Sequence, residues 1–324
     1  MKRPWALKWK VVAQSNKQSY DVVTMNTPKI EMVLESHSRV GEGAVWSVEE
    51  QALYWVDIPP GHLNRFDPSN GENTVHQMPT EIGCFALLDD GSGAIVALNN
   101  GFHNFDFENE TLTLIANPKA DEPDNRFNDG TTDPVGRFLA GTMPLGEQGD
   151  QPQGSLYILD LDGSTRKLKS GLWIQNGLAF SPDGRTLYLA DTNNGGGVIW
   201  AYDYDVDTGT PSNERPFVDC DEYASSPDGG TIDTDGCYWM AGVRGWELLR
   251  FTPDGELDRR IEMPVEKPSK IAFGGANLDV MYVTTIGNVG PDGKGDPKQP
   301  FAGCLFAIEA GVQGLPTPPA RIFW

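Results

Sequence analysis

The chain has 324 residues, with 25 Lys and Arg against 46 Asp and Glu, a formal net charge of −21. That length buries a substantial core, while the acidic balance excludes nucleic acid and anionic membrane surfaces as partners, because both repel it. Its 37 Gly and 24 Pro, without a collagen-like period, point to many turns rather than long helices.

The first 28 residues, opening MKRPWALKWK, are basic, and Lys8 and Lys10 interrupt any apolar stretch. They read as an extension ahead of the folded unit and not as a signal peptide. No run of eighteen apolar residues occurs, which excludes a membrane-spanning helix, and the expected location is cytoplasmic. Four cysteines, Cys84, Cys220, Cys237 and Cys304, lie far apart without a Cys-x-x-Cys pair. Neither a thiolate zinc site nor a disulfide framework is expected.

From residue 29 a repeat begins. Its clearest copy is NGLAFSPDGRTLYLADT, Asn176–Thr192. Leu178–Phe180 reads as a buried strand, Ser181-Pro182-Asp183-Gly184 as a tight turn, and Leu187–Asp191 as a second strand. Apolar strands of the second kind recur at 53–57, 94–98, 138–142, 238–242 and 281–285, spaced by roughly 40 to 50 residues. A third strand is predicted after each, at 62–67, 102–107, 155–160, 198–203, 247–252 and 304–309. A fourth and more polar one follows most of them, as at 73–78, 111–116 and 257–263. Four strands per unit and six units predict an all-β, six-bladed β-propeller with four antiparallel strands per blade. Residues 29–324 are expected to form this one domain. KIEMVLE, Lys29–Glu35, precedes the first inner strand and is predicted to complete the sixth blade beside 304–309. Pro319–Trp324 is the alternative for that edge.

Residues just before the first strand of each blade face the central channel at one end. Four blades place Glu42, Asn128-Asp129, Asn176 and Asp228 there; blade two offers Glu81-Ile82 and blade six Ser269-Lys270. Carboxylate and amide oxygens that converge suit a hard divalent cation such as Ca²⁺, Mg²⁺ or Mn²⁺. Such a cation supports either an open site that polarises a carbonyl or a tie that merely joins blades. Arg126, two residues before Asn128, adds a fixed guanidinium able to grip hydroxyl or carbonyl oxygens. Asp203, Asp205, Asp207, Gly209 and Glu214 resemble a calcium loop, but the glycine is one place late and a strand precedes it, so a hairpin turn is expected. No Gly-x-Ser-x-Gly, P-loop or dinucleotide fingerprint occurs, and His37, His62, His76 and His103 lie away from the inner positions.

GEGAVW (Gly41–Trp46), NRFNDG with AGTM (Asn125–Gly130, Ala140–Met143), NGLAFSPDG (Asn176–Gly184) and SPDGGTID (Ser226–Asp233) resemble the sugar-lactonase family of gluconolactonases and regucalcin, also called senescence marker protein. The resemblance runs from about Lys29 to Ile308. It implies a six-bladed propeller that holds one divalent cation (Ca, or Mg, Mn, Zn or Fe in its place) and hydrolyses aldonolactones. The implied metal ligands are Glu42, Asn176 and Asp228, with Asn128 a further ligand or a contact to water and substrate. Arg126 is the implied substrate-binding arginine, and Asp228 doubles as the implied general base. Some relatives carry a sugar-contacting glutamate three residues past the methionine of AGTM; here Gly146 stands there and Glu147 one place on.

The expected function is therefore metal-dependent hydrolysis of the ring ester of an aldonic lactone, with Asp228 activating water and Arg126 and Asn128 orienting the sugar. Should Asp228 prove only a ligand, Asp129 is the next candidate base. The expected partner is a small sugar lactone, and the chain is expected to be a monomer or small homo-oligomer. The alternatives are a calcium-binding regulatory protein without turnover, and a phosphotriesterase or esterase on the same site.

Overall fold

The computed structural model describes residues 28–146, 149–193, 196–287 and 295–322. Residues 1–27, and with them nearly all of the basic extension, lie outside the described residues, as does Glu147. Six four-stranded antiparallel sheets follow one another along the chain. Their inner strands are Gly41–Ser47, Ile82–Leu87, Asn125–Thr132, Gln175–Phe180, Ser226–Ile232 and Pro268–Gly274, in blades one to six. The inner strands are almost wholly buried, whereas the outermost ones, such as Glu72–Gln77 and Thr111–Ala116, have only exposed and half-buried residues. This gradient explains why the fourth strand has the weakest hydrophobic pattern.

The ring closes as expected from KIEMVLE. Ile30–Leu34 is the outer strand of blade six, with Ile30 opposite Ile308 and Met32 opposite Phe306. The alternative filler is placed elsewhere: Ala320 donates its N–H to Leu87 O at 2.7 Å, beside blade two. The Asp203–Glu214 stretch is a hairpin turn, in which Asp205 accepts the N–H groups of Asp207 and Thr208. All four cysteines are free and buried. No helix among the described residues is long and apolar enough to cross a membrane.

The hydrophobic core is divided among the interfaces between blades. Trp46, Leu53 and Trp55 of blade one pack with Ala272, Tyr282 and Leu305 of blade six. Clusters of the same kind join blades one and two, two and three, three and four, four and five, and five and six. Each sheet is thus held by two neighbours, and no apolar side chain is needed to fill the mouth of the channel. Trp46 stacks on Tyr282 with ring centroids 5.3 Å apart, at the interface where the two ends of the fold meet.

Candidate metal and substrate site

The six inner strands share one irregularity. Their pairing register shifts between Glu42 and Val45, Ile82 and Cys84, Phe127 and Gly130, Asn176 and Ala179, Pro227 and Gly230, and Pro268 and Lys270. A bulge leaves residues unpaired and re-aims their side chains, and here it does so at the channel-facing position of every blade. Gly43 and Gly177 follow Glu42 and Asn176 with φ of 61° and 58°, the left-handed region that glycine enters without strain. The glycine that follows each of these donors is therefore part of how the donor is presented.

The bulges bring the predicted residues together at one mouth. Glu42 and Asp228 are each 7% exposed and sit against one another. Burial pushes both carboxyls up from the ordinary carboxylate range; the charge of Asp129 adds to this for Glu42, and that of Glu42 for Asp228. Asn176 donates from Nδ2 to Thr192 Oγ1 at 3.0 Å, which orients its amide. Thr192 in turn donates to Pro227 O, next to Asp228. Asn128 donates from Nδ2 to Asn176 Oδ1 at 2.7 Å and to Gln175 O at 2.9 Å. Arg126 donates to Asn128 Oδ1 at 3.0 Å and to Phe127 O at 2.8 Å. Burial lowers the Arg126 guanidinium, against the opposing charges of Glu81, Glu42 and Asp228. Arg126 is thus held in the mouth and not spent on a surface carboxylate.

Two further residues, left without a role by the sequence reading, belong to the same cluster. Glu81, which opens blade two, has a buried Oε2 without a hydrogen-bond partner among the described residues, beside the charge of Arg126. Lys270 of blade six reaches across the channel to Asp129, with Nζ 2.8 Å from Oδ1 and 2.9 Å from Oδ2. Asp129, the next candidate base of the sequence reading, accepts the ammonium on both oxygens and the N–H of Leu178 at 3.3 Å.

Two carboxylates and two amides make an all-oxygen donor set, and it fits a divalent cation of the Ca²⁺, Mg²⁺ or Mn²⁺ kind. The fit rests on Glu42 and Asp228: two buried carboxyls in contact disfavour each other's charge, and a divalent cation between them offsets that repulsion. No cluster of three or more His, Cys, Asp and Glu side chains with metal-binding geometry occurs among the described residues, so amides would have to complete the set. The far end of the channel is built differently. There the C-terminal stretch Leu315–Pro318 crosses the inner strands and helps enclose a cavity of about 340 Å³ with Val45, Thr131, Thr231 and Phe273.

Residues 40–287 match the SMP-30/Gluconolactonase/LRE-like region. The chain is 38% identical over 292 residues to 6-deoxy-6-sulfogluconolactonase of Pseudomonas putida, covering 89% of this chain and 97% of that protein. It is 34% identical over 297 residues to pentonolactonase XacC of Haloferax volcanii, covering 88% and 95%. Among solved structures, the calcium-binding protein regucalcin of Agrobacterium tumefaciens superposes with a TM-score of 0.83 at 28% identity, covering 90% of this chain and 97% of that one. The chain therefore belongs to the SMP-30/gluconolactonase family, which includes sugar lactonases and regucalcins.

Proposed function

We propose that this protein is a metal-dependent lactonase that opens the ring ester of an aldonic lactone. The observation that carries the reading is the convergence of Glu42, Asn128, Asn176 and Asp228 from four blades on one mouth that also holds Arg126. Glu42, Asn176 and Asp228 would hold the cation, with Asn128 a further ligand or a contact to substrate. When bound, a divalent cation there supplies charge stabilisation for the carbonyl oxygen as the water attacks.

The chain's own groups account for the proton and for orientation. Asp228 takes a proton from the water that adds to the carbonyl carbon, as the one carboxylate of the donor set assigned both tasks. As the ring C–O bond breaks, the protonated Asp228 returns that proton to the departing ring oxygen, which becomes a hydroxyl. The carboxylic acid so formed loses its proton to solvent. Arg126 and Asn128 orient the sugar oxygens, and Glu81 offers the buried acceptor Oε2 to a hydroxyl donor. A γ- or δ-lactone of a pentonic or hexonic acid matches such a polar mouth better than an aliphatic lactone.

A panel of aldonolactones, with acid release followed by a pH indicator under several divalent cations, tests the reading. Hydrolysis of at least one pentono- or hexonolactone well above the spontaneous rate is expected. Absence of turnover on every lactone with every cation would leave the second reading, a calcium-binding protein without turnover. That reading draws its support from the regucalcin likeness.

A further inference from the structure

We propose that Lys270 is a positioning residue of this site: clamped on Asp129 beneath the mouth, it withholds a third carboxylate from the cation and so sets how tightly a divalent cation is held. The inference rests on the metal-dependent reading above and deepens it.

Three acidic side chains converge at the mouth, Glu42, Asp129 and Asp228, and they are 7%, 3% and 7% exposed. Glu42 and Asp228 together balance the charge of one divalent cation. Asp129 adds a charge that such a cation does not balance, and a buried charge without a partner is costly. Lys270 meets it with both oxygens in hydrogen-bond range, on side chains only 6% and 1% exposed. The lysine stem reaches that position by crossing the backbone next to Asp228. A Cβ on Gly229 would lie 2.2 Å from Lys270 Cδ and 2.9 Å from its Cα, so the residue after Asp228 has to be glycine for this lysine to pass.

The clamp also holds two donors in place. Asp129 is the chain neighbour of Asn128, and its Oδ2 accepts the N–H of Leu178, two residues after Asn176. One ammonium therefore links blade six to the donor-bearing bulges of blades three and four and lies along that of blade five. A structural ion pair alone would be lost equally by changing either partner. A charge-setting clamp behaves otherwise, because its two halves act on the cation with opposite sign.

The test is calcium titration calorimetry on the full chain after chelator treatment, with melting curves to confirm folding. Lys270→Met leaves Asp129 free to face the cation, and Ca²⁺ affinity is expected to rise at least tenfold. Asp129→Asn leaves the ammonium unbalanced beneath the site, and affinity is expected to fall at least tenfold. The double variant should return to within threefold of the original. Two single variants that shift affinity in the same direction, or leave it unmoved, would overturn the proposal. If Lys270→Met does not fold, the nearly isosteric Asp129→Asn decides alone, and unchanged Ca²⁺ affinity there overturns it. An unaltered chain that binds none of Ca²⁺, Mg²⁺ and Mn²⁺ in such a titration would remove the metal reading and this inference together. Normal binding with unmoved variants would remove only the role of Lys270.

Discussion

Asp228 has two tasks in this account, ligand and proton acceptor, and Glu42 has one. Asp228→Asn keeps an oxygen donor of the same size but removes the base, so kcat should fall at least about 10²-fold even with cation saturating. Glu42→Gln should instead weaken cation binding, with activity largely restored by excess metal. Steady-state kinetics across a metal titration separates the two, and identical rescue of both variants would leave Asp228 as a ligand alone. Arg126 touches Asn128 and no carboxylate at hydrogen-bond distance among the described residues. Arg126→Ala should accordingly raise KM while Ca²⁺ affinity stays within a few-fold, as kinetics and calorimetry on the same preparation would show. Glu42, Asn128, Asn176 and Asp228 were legible in the sequence because each stands at the same place in a repeating unit, with a glycine directly after it or one residue on. The Lys270–Asp129 clamp was not, although both residues stood at inner positions in the sequence, because their contact spans 141 residues and only the closed ring brings them face to face. Glu81 stood at the inner position of blade two but was given no role for a related reason: its neighbour Arg126 lies in another blade.

At the scale of the element, the bulged inner strand is the device that makes the site. Sequence reading placed the start of the blade-four strand at Leu178, whereas pairing begins at Gln175. The bulge between Asn176 and Ala179 breaks the alternation by which strands are recognised, so the polar mouth end reads as loop. The second and third strands carry an unbroken apolar pattern, and the structure places the third strand His62–Asp67 at the limits the pattern predicted and the second, Ala52–Asp57, within one residue of them. Gly177→Ala tests the bulge directly. At φ 58° an added Cβ would meet Tyr238 Oη at 2.4 Å and Ala190 Cβ at 2.9 Å. A loss of about 1–3 kcal/mol is expected from denaturant unfolding, with weaker cation binding because Asn176 is displaced. Gly171→Ala is the control, since φ there is 75° but nothing lies within 4 Å of the added Cβ. It should cost stability without touching the site.

For the whole molecule, closure turns six weak local signals into one rigid frame. The period and the strand count led to six blades, and the strand at Ile30–Leu34 links the beginning of the described chain to blade six. With a core cluster at each interface, donors from different blades are held at fixed separations, which is what a preorganised cation site requires. The net charge of −21 draws cations toward the molecule and leaves a neutral lactone unaffected at long range. In the proposed reaction, turnover depends on a cation held at this mouth. Acid release from a turned-over aldonolactone should therefore be measured on one preparation before chelation, after chelator and its removal, and after a divalent cation is returned. Loss to the spontaneous rate and recovery on reloading are expected, with Glu42→Gln needing more cation for the same recovery. Full activity in the chelated protein would contradict that dependence.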